Sequence, residues 1–335
     1  MSKTLSVRRR EFIALLGSAL ATWPVVALAQ TVNRARRIGF LSSSAEEDAE
    51  AAKRLAAFKL RLQELGWMEG KSLQIDVRFG SNSGERIHQA AIELTEIAPD
   101  VIVSTTSTTT RALMNATGKI PIVAAISGDP IALGFTKNLS HPTGNITGFT
   151  TFNDTLAAKR FEMLHEIVPT MHTAALMWVP VNPQQVLLET KTKEAAHILG
   201  IELLSLPIKA ADDISPALAA AQNQQAAAII VAADPLTVAN GRAIIDECIS
   251  MKLPAMHTYA FETKNGALMS YGIDLVENYR RTAEYIDRIL KGIKIADLPF
   301  QEPTRLTLAI NLRTARAIGI KVPSTLLARA DEVIE

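Results

Sequence analysis

In Val101-Ile102-Val103-Ser104-Thr105-Thr106-Ser107-Thr108-Thr109-Thr110, three apolar residues give way to an unbroken run of hydroxyl side chains. A short continuous apolar run of this kind marks a strand buried on both faces. The hydroxyl run opens the helix behind it. The same grammar extends in both directions. Upstream, Ile38-Gly39-Phe40-Leu41 is an apolar strand ending in Ser42-Ser43-Ser44. A helix follows over 46–65, with Ala51, Leu55, Phe58, Leu62 and Leu65 on one face. Leu73-Gln74-Ile75-Asp76-Val77-Arg78-Phe79 alternates apolar and polar, the period of a half-exposed strand nearer a sheet edge. Ser83 caps a second helix that turns Ile87, Ala90, Leu94 and Ala98 inward. Downstream, 120–126 is another buried strand. Apolar strands joined by helices imply a parallel sheet covered on both faces.

The pattern then repeats. Helices are expected over 156–168, 183–199, 212–221 and 241–251, alternating with strands over 174–179, 201–206, 227–231, 255–258 and 266–271. Asp274 with Glu277 forms a capping box for a helix carrying Tyr279, Ala283, Ile286 and Leu290. The fold class is therefore α/β, with two doubly wound parallel-sheet lobes and a ligand cleft between them. The competing reading is one continuous sheet of about eight strands or more, a size that sheets with a single core rarely reach. The Thr- and Gly-rich stretch over 145–153 divides the lobes. The first lobe is expected over 36–150, completed by 274–300. The second is expected over 151–273, completed by 301–335.

Composition narrows the function. A length of 335 residues allows two domains. With 48% apolar and 21% charged residues the chain is an ordinary globular one rather than a disordered one. The single cysteine, Cys248, rules out an internal disulfide and a four-cysteine zinc site. A formal net charge of +1 gives no electrostatic case for nucleic acid. The first residues differ from the rest. Lys3, Arg8, Arg9 and Arg10 precede an apolar run that ends in Ala27-Leu28-Ala29, the order of a secretory signal peptide cleaved after Ala29. An uncleaved membrane anchor is the alternative, but the run is short and broken by Pro24. Arg9-Arg10-Glu11-Phe12-Ile13 resembles the twin-arginine export motif, without the preceding Ser or Thr. Gln30 stands where lipid attachment would need cysteine. Removing residues 1–29 leaves a slight acidic excess, and the mature protein is expected in the periplasm.

In open parallel sheets ligands bind beyond the carboxyl ends of strands. Four places there carry suitable chemistry. Ser42 and Ser43 follow the first strand. Thr105, Thr106 and Ser107 flank free N–H groups at a helix N-terminus, an arrangement suited to a carboxylate or another anion. The same hydroxyls also serve as helix caps. Two apolar strands end in Asp-Pro, at Ser127-Gly128-Asp129-Pro130 and at Asp234-Pro235. From opposite lobes, Asp129 and Asp234 would hold an ammonium group. Alternatively each is an Asx-turn or helix cap with proline behind it. Tyr259 and Tyr271 stand at strand ends, either to stack on a flat ligand or to close the core. Sequence signatures of catalysis are absent: Gly-x-Ser-x-Gly, His-Glu-x-x-His and Gly-x-Gly-x-x-Gly do not occur, and the six histidines lack metal-ligand spacing. Cys248 reads as a buried small residue rather than a nucleophile. No enzyme, cofactor or metal is expected, and the chain is expected as a monomer.

Several segments resemble the solute-binding proteins of a bacterial ABC transporter family that includes tryptophan/tyrosine-type members. They include Leu62-Gln63-Glu64-Leu65-Gly66-Trp67, Ala98-Pro99-Asp100-Val101, Gly128-Asp129-Pro130, Gly144-Asn145-Ile146-Thr147-Gly148, Leu268-Met269-Ser270-Tyr271-Gly272 and Leu326-Leu327-Ala328-Arg329. The resemblance runs in order along nearly the whole chain. It implies a periplasmic-binding fold of type I, with three crossovers between lobes that close on a small-molecule solute and deliver it to an ABC permease in the inner membrane. It also implies that Thr105–Ser107 hold a carboxylate and that Asp129 and Asp234 face the cleft. Where many relatives have Gly-Thr-Pro, this chain has Thr105-Thr106-Ser107-Thr108, so no particular ligand carries over. Other readings on the same frame are a sensor subunit serving a membrane receptor and a secreted enzyme.

Overall fold

The computed structural model describes residues 34–151 and 155–335; the export signal read over 1–29 lies outside them. Twelve strands are described, in two sheets. The first sheet has the order β2-β1-β3-β4-β5 and is parallel throughout. Its strands are β1 Arg36–Ser42, β2 Leu73–Phe79, β3 Val101–Ser104, β4 Ile122–Ser127 and β5 Ile146–Thr150. The alternating strand β2 lies at the edge, where one face and one flank meet water. The second sheet has the order β12-β11-β10-β9-β8-β6-β7. Its strands are β6 Thr173–Trp178, β7 Glu202–Pro207, β8 Ala228–Val231, β9 Ala255–His257, β10 Met269–Ile273, β11 Leu306–Asn311 and β12 Glu332–Ile334.

Two departures from the sequence reading stand out. The 145–153 stretch is no mere divider, because its first half is strand β5. Gly148, at φ +149°, passes so close to β4 that a Cβ there would overlap the Ala124 carbonyl oxygen. Residues that read as loop chemistry thus allow two backbones to approach. The second sheet is also not purely parallel. β11 runs antiparallel to β10, with Met269 opposite Ile310, because the chain re-enters this lobe from the other one.

Each sheet is sandwiched between helices, and the strands divide their side chains between two cores. In β3, Val101 and Val103 join Phe58 and Leu62 of α1 (Ala49–Glu64). Ile102 points the other way, to Ile87 and Leu94 of α2 (Gly84–Glu96) and Leu113 of α3 (Ser107–Ala116). In β8, Ala228 and Ile230 face Phe161 and Leu164 of α4 (Thr155–Ile167) and Ala196 of α5 (Pro183–Ile198). Ile229 and Val231 face Leu218 of α6 (Ile214–Asn223). The period of two along each strand is what buries both faces. Two short helices, α7 (Pro235–Ala239) and α8 (Gly241–Ser250), follow β8. Cys248 of α8 is buried, and burial pushes its thiol up to about 12. The short helix α9 (Ala260–Lys264) follows β9.

The chain crosses between sheets three times: after β5, after β10, and before β11. Helix α10 (Leu275–Leu290) belongs in space to the first sheet, where Tyr279, Ala283, Ile286 and Leu290 pack with Ile38 and Phe40. Two crossing segments run side by side, since Thr150 N–H donates to the Gln301 carbonyl at 2.9 Å and Gln301 N–H donates to Gly148 at 3.0 Å. The second crossing meets the third at Asp274 N–H and the Arg305 carbonyl, 3.4 Å apart.

Candidate functional site

A cavity of ≈ 460 Å³ opens at the carboxyl ends of both sheets and is walled by both lobes. A larger hollow of ≈ 680 Å³ lies at the opposite ends of the first sheet's strands. There Arg36 and Asp100 pair at 3.0 Å beside Lys119 and Lys294, and the lining comes from the starts of the first sheet's strands and the segment 289–296. The interlobe cavity is different in kind.

Its first-lobe wall is the hydroxyl run. Thr109, fully buried, organises it: its Oγ1 accepts from Thr105 N–H at 3.0 Å and Thr106 N–H at 2.9 Å, and donates to the Thr106 carbonyl. Thr106 is the N-cap of α3 and serves the Thr109 N–H. Among the described residues no side chain caps the N–H groups of Ser107 and Thr108, which therefore remain for an anion. Thr105 Oγ1 accepts from Ser43 N–H at 3.0 Å, tying the β1 and β3 ends together. Ser42, Ser43, Thr105, Thr106 and Ser107 all line the cavity.

The same wall carries groups that sequence reasoning passed over. Arg54 of α1 lines the cavity, with its guanidinium carbon 6.0 Å from the centre of the Tyr279 ring. Its Nε is buried without a hydrogen-bond partner among the described residues. Tyr279 stands between Thr105 and Arg54, and burial raises its phenol against their opposing pull. Asp48 caps α1 through Glu50 and Ala51 N–H and also borders the cavity. A signal for Arg54 existed: at 51 + 3 and 58 − 4 it lies on the apolar stripe of Ala51, Leu55 and Phe58, where a charge is out of place.

The second-lobe wall is built on Asp234. It caps α7, accepting from Leu236 N–H at 3.0 Å, while its other oxygen accepts from Asn182 Nδ2 at 2.9 Å. Thr237 Oγ1 accepts the Asp234 N–H and donates to the Ala232 carbonyl, a fully buried brace beneath the carboxylate. Tyr259 and Phe261 stack at 5.7 Å and 20° beside it. Burial, with the Glu262 charge, pushes the Tyr259 phenol up to about 12, so it is a neutral donor at ordinary pH. Glu262 holds this corner, accepting from Tyr259 N–H at 2.9 Å and pairing with buried His257 at 3.0 Å. Gln184, at the start of α5, reaches across the cleft: its Oε1 accepts from Ser107 Oγ at 3.4 Å, and its amide lies against Gly128.

Three of the expected residues lie outside the cavity. Asp129 folds back on its own turn, its Oδ1 accepting from Ile131 and Ala132 N–H. It takes the Asx-turn alternative, and the two carboxylates do not converge. Ser127 is fully buried at the first crossover, where its carbonyl accepts from Thr151 N–H and Oγ1. Tyr271 packs on the second-lobe core, and its carbonyl accepts from Arg160 Nε at 3.0 Å. Among the described residues no cluster of three or more His, Cys, Asp or Glu side chains is placed to hold a metal ion.

Known proteins resemble this chain along most of its length. A tyrosine-binding protein of Clostridioides difficile is 20% identical over 260 residues, 78% of this chain and 74% of that one. A conserved domain protein from Vibrio cholerae superposes with a TM-score of 0.83 at 26% identity, covering 90% of this chain and all of that one. An ABC domain in complex with L-Trp from Streptococcus pneumonia gives 0.83 at 22% identity, covering 89% and 99%. These likenesses share the two-lobed α/β architecture of type I periplasmic binding proteins. Residues 41–334 match the ABC transporter substrate binding protein family, and the chain belongs to that family.

Proposed function

We propose that the protein is the exported solute-binding component of an ABC uptake transporter and takes an amino-acid-like or carboxylate solute into the interlobe cavity. One observation carries the reading. A single cavity joins a guanidinium whose Nε has no partner among the described residues and a hydroxyl-lined helix N-terminus on one lobe to an anchored carboxylate on the other.

In this reading the solute carboxylate sits on the Ser107 and Thr108 N–H groups with the hydroxyls of Thr105 and Thr106, and Arg54 supplies the countercharge. An ammonium group meets Asp234. The Tyr259–Phe261 pair and Tyr279 pack the solute's apolar part, as aromatic faces do. The two lobes close as rigid bodies, with the first lobe over 36–150 and 274–300 and the second over 151–273 and 301–335. The crossing segments at Thr150–Gln301 and Asp274–Arg305 act as hinge. Residues 1–29 export the chain to the periplasm and are removed after Ala29, and the permease in the inner membrane receives the closed form. The named ligands of the relatives, tyrosine and tryptophan, make aromatic amino acids natural first probes.

The test is a thermal-shift screen of amino acids and organic acids on the purified protein. At a solute concentration 100 times Kd, stabilisation of about 2.7 kcal/mol is expected. If no amino or organic acid raises the Tm, the reading fails.

A further inference from the structure

A second, smaller cavity of ≈ 80 Å³ adjoins the main one and shares Thr151, Gln184, Ala233 and Tyr259 with it. Its remaining walls come from the second lobe, and Arg160 of α4 is the decisive one. Arg160 is only 5% exposed. Its Nε donates to the Tyr271 carbonyl, and among the described residues its guanidinium makes no other hydrogen bond and no ion pair. Of its five N–H donors, the four on the Nη atoms are thus unspent. Burial opposes the charge and lowers the pKa, yet an arginine side chain keeps its proton in proteins. The nearby Glu262 carboxylate is committed elsewhere, to His257 and the N–H groups of Thr258 and Tyr259.

The opposite polarity is also present and also unspent. Gln185, 3% exposed, donates from Nε2 to the Ala233 carbonyl at 2.8 Å, which settles the orientation of its amide. Its Oε1 is then buried without a partner. An apolar solute group seated here would leave the Nη donors of Arg160 unsatisfied, at a cost that rejects it, whereas the Gln185 oxygen is an acceptor and takes no part in holding a carboxylate. A volume of ≈ 80 Å³ far exceeds the roughly 10–15 Å³ that admits one water, and gives room for a carboxyl group.

We propose that this side cavity is a second anion subsite of the same binding site, so that the solute carries a carboxylate for Arg160 in addition to the group held at the hydroxyl run. The proposal rests on the solute-binding reading above and specifies its ligand class: a dicarboxylate or an acidic amino acid. Arg160 binds the second carboxylate through Nη1 and Nη2, the two-pronged geometry that distinguishes arginine from lysine.

The experiment is calorimetric titration of the purified protein, stripped of bound solute by unfolding and refolding. The probes are L-glutamate, L-aspartate, glutarate and succinate, set against L-glutamine, L-leucine, L-tyrosine and L-tryptophan. At least one diacid is expected to bind on the order of 100-fold more tightly than every neutral probe. Arg160→Gln is expected to remove that preference. Neutral probes binding as tightly as the diacids, or a diacid affinity that Arg160→Gln leaves unchanged, would overturn the second subsite while leaving solute binding intact. Failure of all eight probes to bind overturns the ligand class and counts against the binding reading as well. Because Arg160 also holds the Tyr271 carbonyl, the wild-type ranking decides the question even where the variant does not fold.

Discussion

Asp129-Pro130 and Asp234-Pro235 begin alike and end differently. Each follows an apolar central strand, and each aspartate accepts the N–H two residues on. Yet Asp234 stands in the cavity wall while Asp129 does not. The difference lies in what comes beside them. The strand before Asp129 is flanked by β5, which runs on into the first crossover, with Thr150 Oγ1 donating to the Gly128 carbonyl at 2.7 Å and Thr151 N–H donating to Ser127. That corner braces the first crossing between the sheets. Among the described residues no backbone hydrogen bond ties a crossing segment to the strand before Asp234, and Asn182 from the next strand's loop binds the carboxylate at the cleft. Similar local chemistry thus stands beside a crossing in one lobe and in the cavity wall in the other.

The largest effect is expected from breaking the joint side. Gly148→Val adds a clash with the Ala124 carbonyl at a φ that side chains rarely adopt. Overpacking costs about 1–3 kcal/mol and a strained backbone a further 1–3. Gly272→Ala, beside the second crossover, clashes with the Thr258 carbonyl at an ordinary φ, so only the first cost of about 1–3 kcal/mol applies. Urea unfolding of both variants checks the order, and equal losses would show that the joints are not distinguished by backbone strain.

Next comes the pair itself. Asp234→Ala is expected to weaken solute binding roughly 10- to 100-fold, about 1.4–2.8 kcal/mol, and to cost a helix cap. Asp129→Ala should lose about 1 kcal/mol of stability and leave affinity unchanged. Titration of the two variants with whichever solute the screen identifies measures the contrast. Equal effects on affinity would erase it.

The smallest effect is a pH dependence confined to the site side. Burial raises the Glu262 carboxyl, but the His257 charge and the hydrogen bonds from His257, Tyr259 and Thr258 outweigh it and hold it below the ordinary 4.5. Its contribution is therefore complete above pH 4.5 and is lost as pH falls through the lowered native value. The wild-type Tm should drop more steeply on acidification than that of Glu262→Gln. Parallel acid slopes would remove Glu262 as the support of the Tyr259 corner.

Much of this was legible in the chain. Continuous apolar runs announced buried parallel strands, and the hydroxyl run after Val103 pointed at the cleft because strand ends in such sheets face it. β5 was not legible, since Thr and Gly at 147–151 have the composition of a loop and become a strand only through the approach of Gly148 to Ala124. Asn182 and Gln184 were missed because each sits in a helix or its cap, where a polar residue ordinarily faces water, whereas Arg54 stood out as a charge on an inward stripe. Cys248 followed the simple rule: a small apolar-like residue on an inward helical face is buried.

Sequence alone determined the layered α/β build, the twofold repetition of the strand–helix pattern and the character of the first-lobe wall. These depend on periodicity and capping, which are properties of neighbours along the chain. Tertiary structure decided which Asp-Pro corner meets the cleft, that β11 runs against β10, and that Arg54 Nε and the Nη atoms of Arg160 have no hydrogen-bond partner among the described residues. Those are matters of what lies opposite, set by crossovers that bring residues more than a hundred positions apart into contact, as Asn278 and the Ala125 carbonyl are. No local pattern encodes such a neighbour, because its identity depends on how the whole chain has closed.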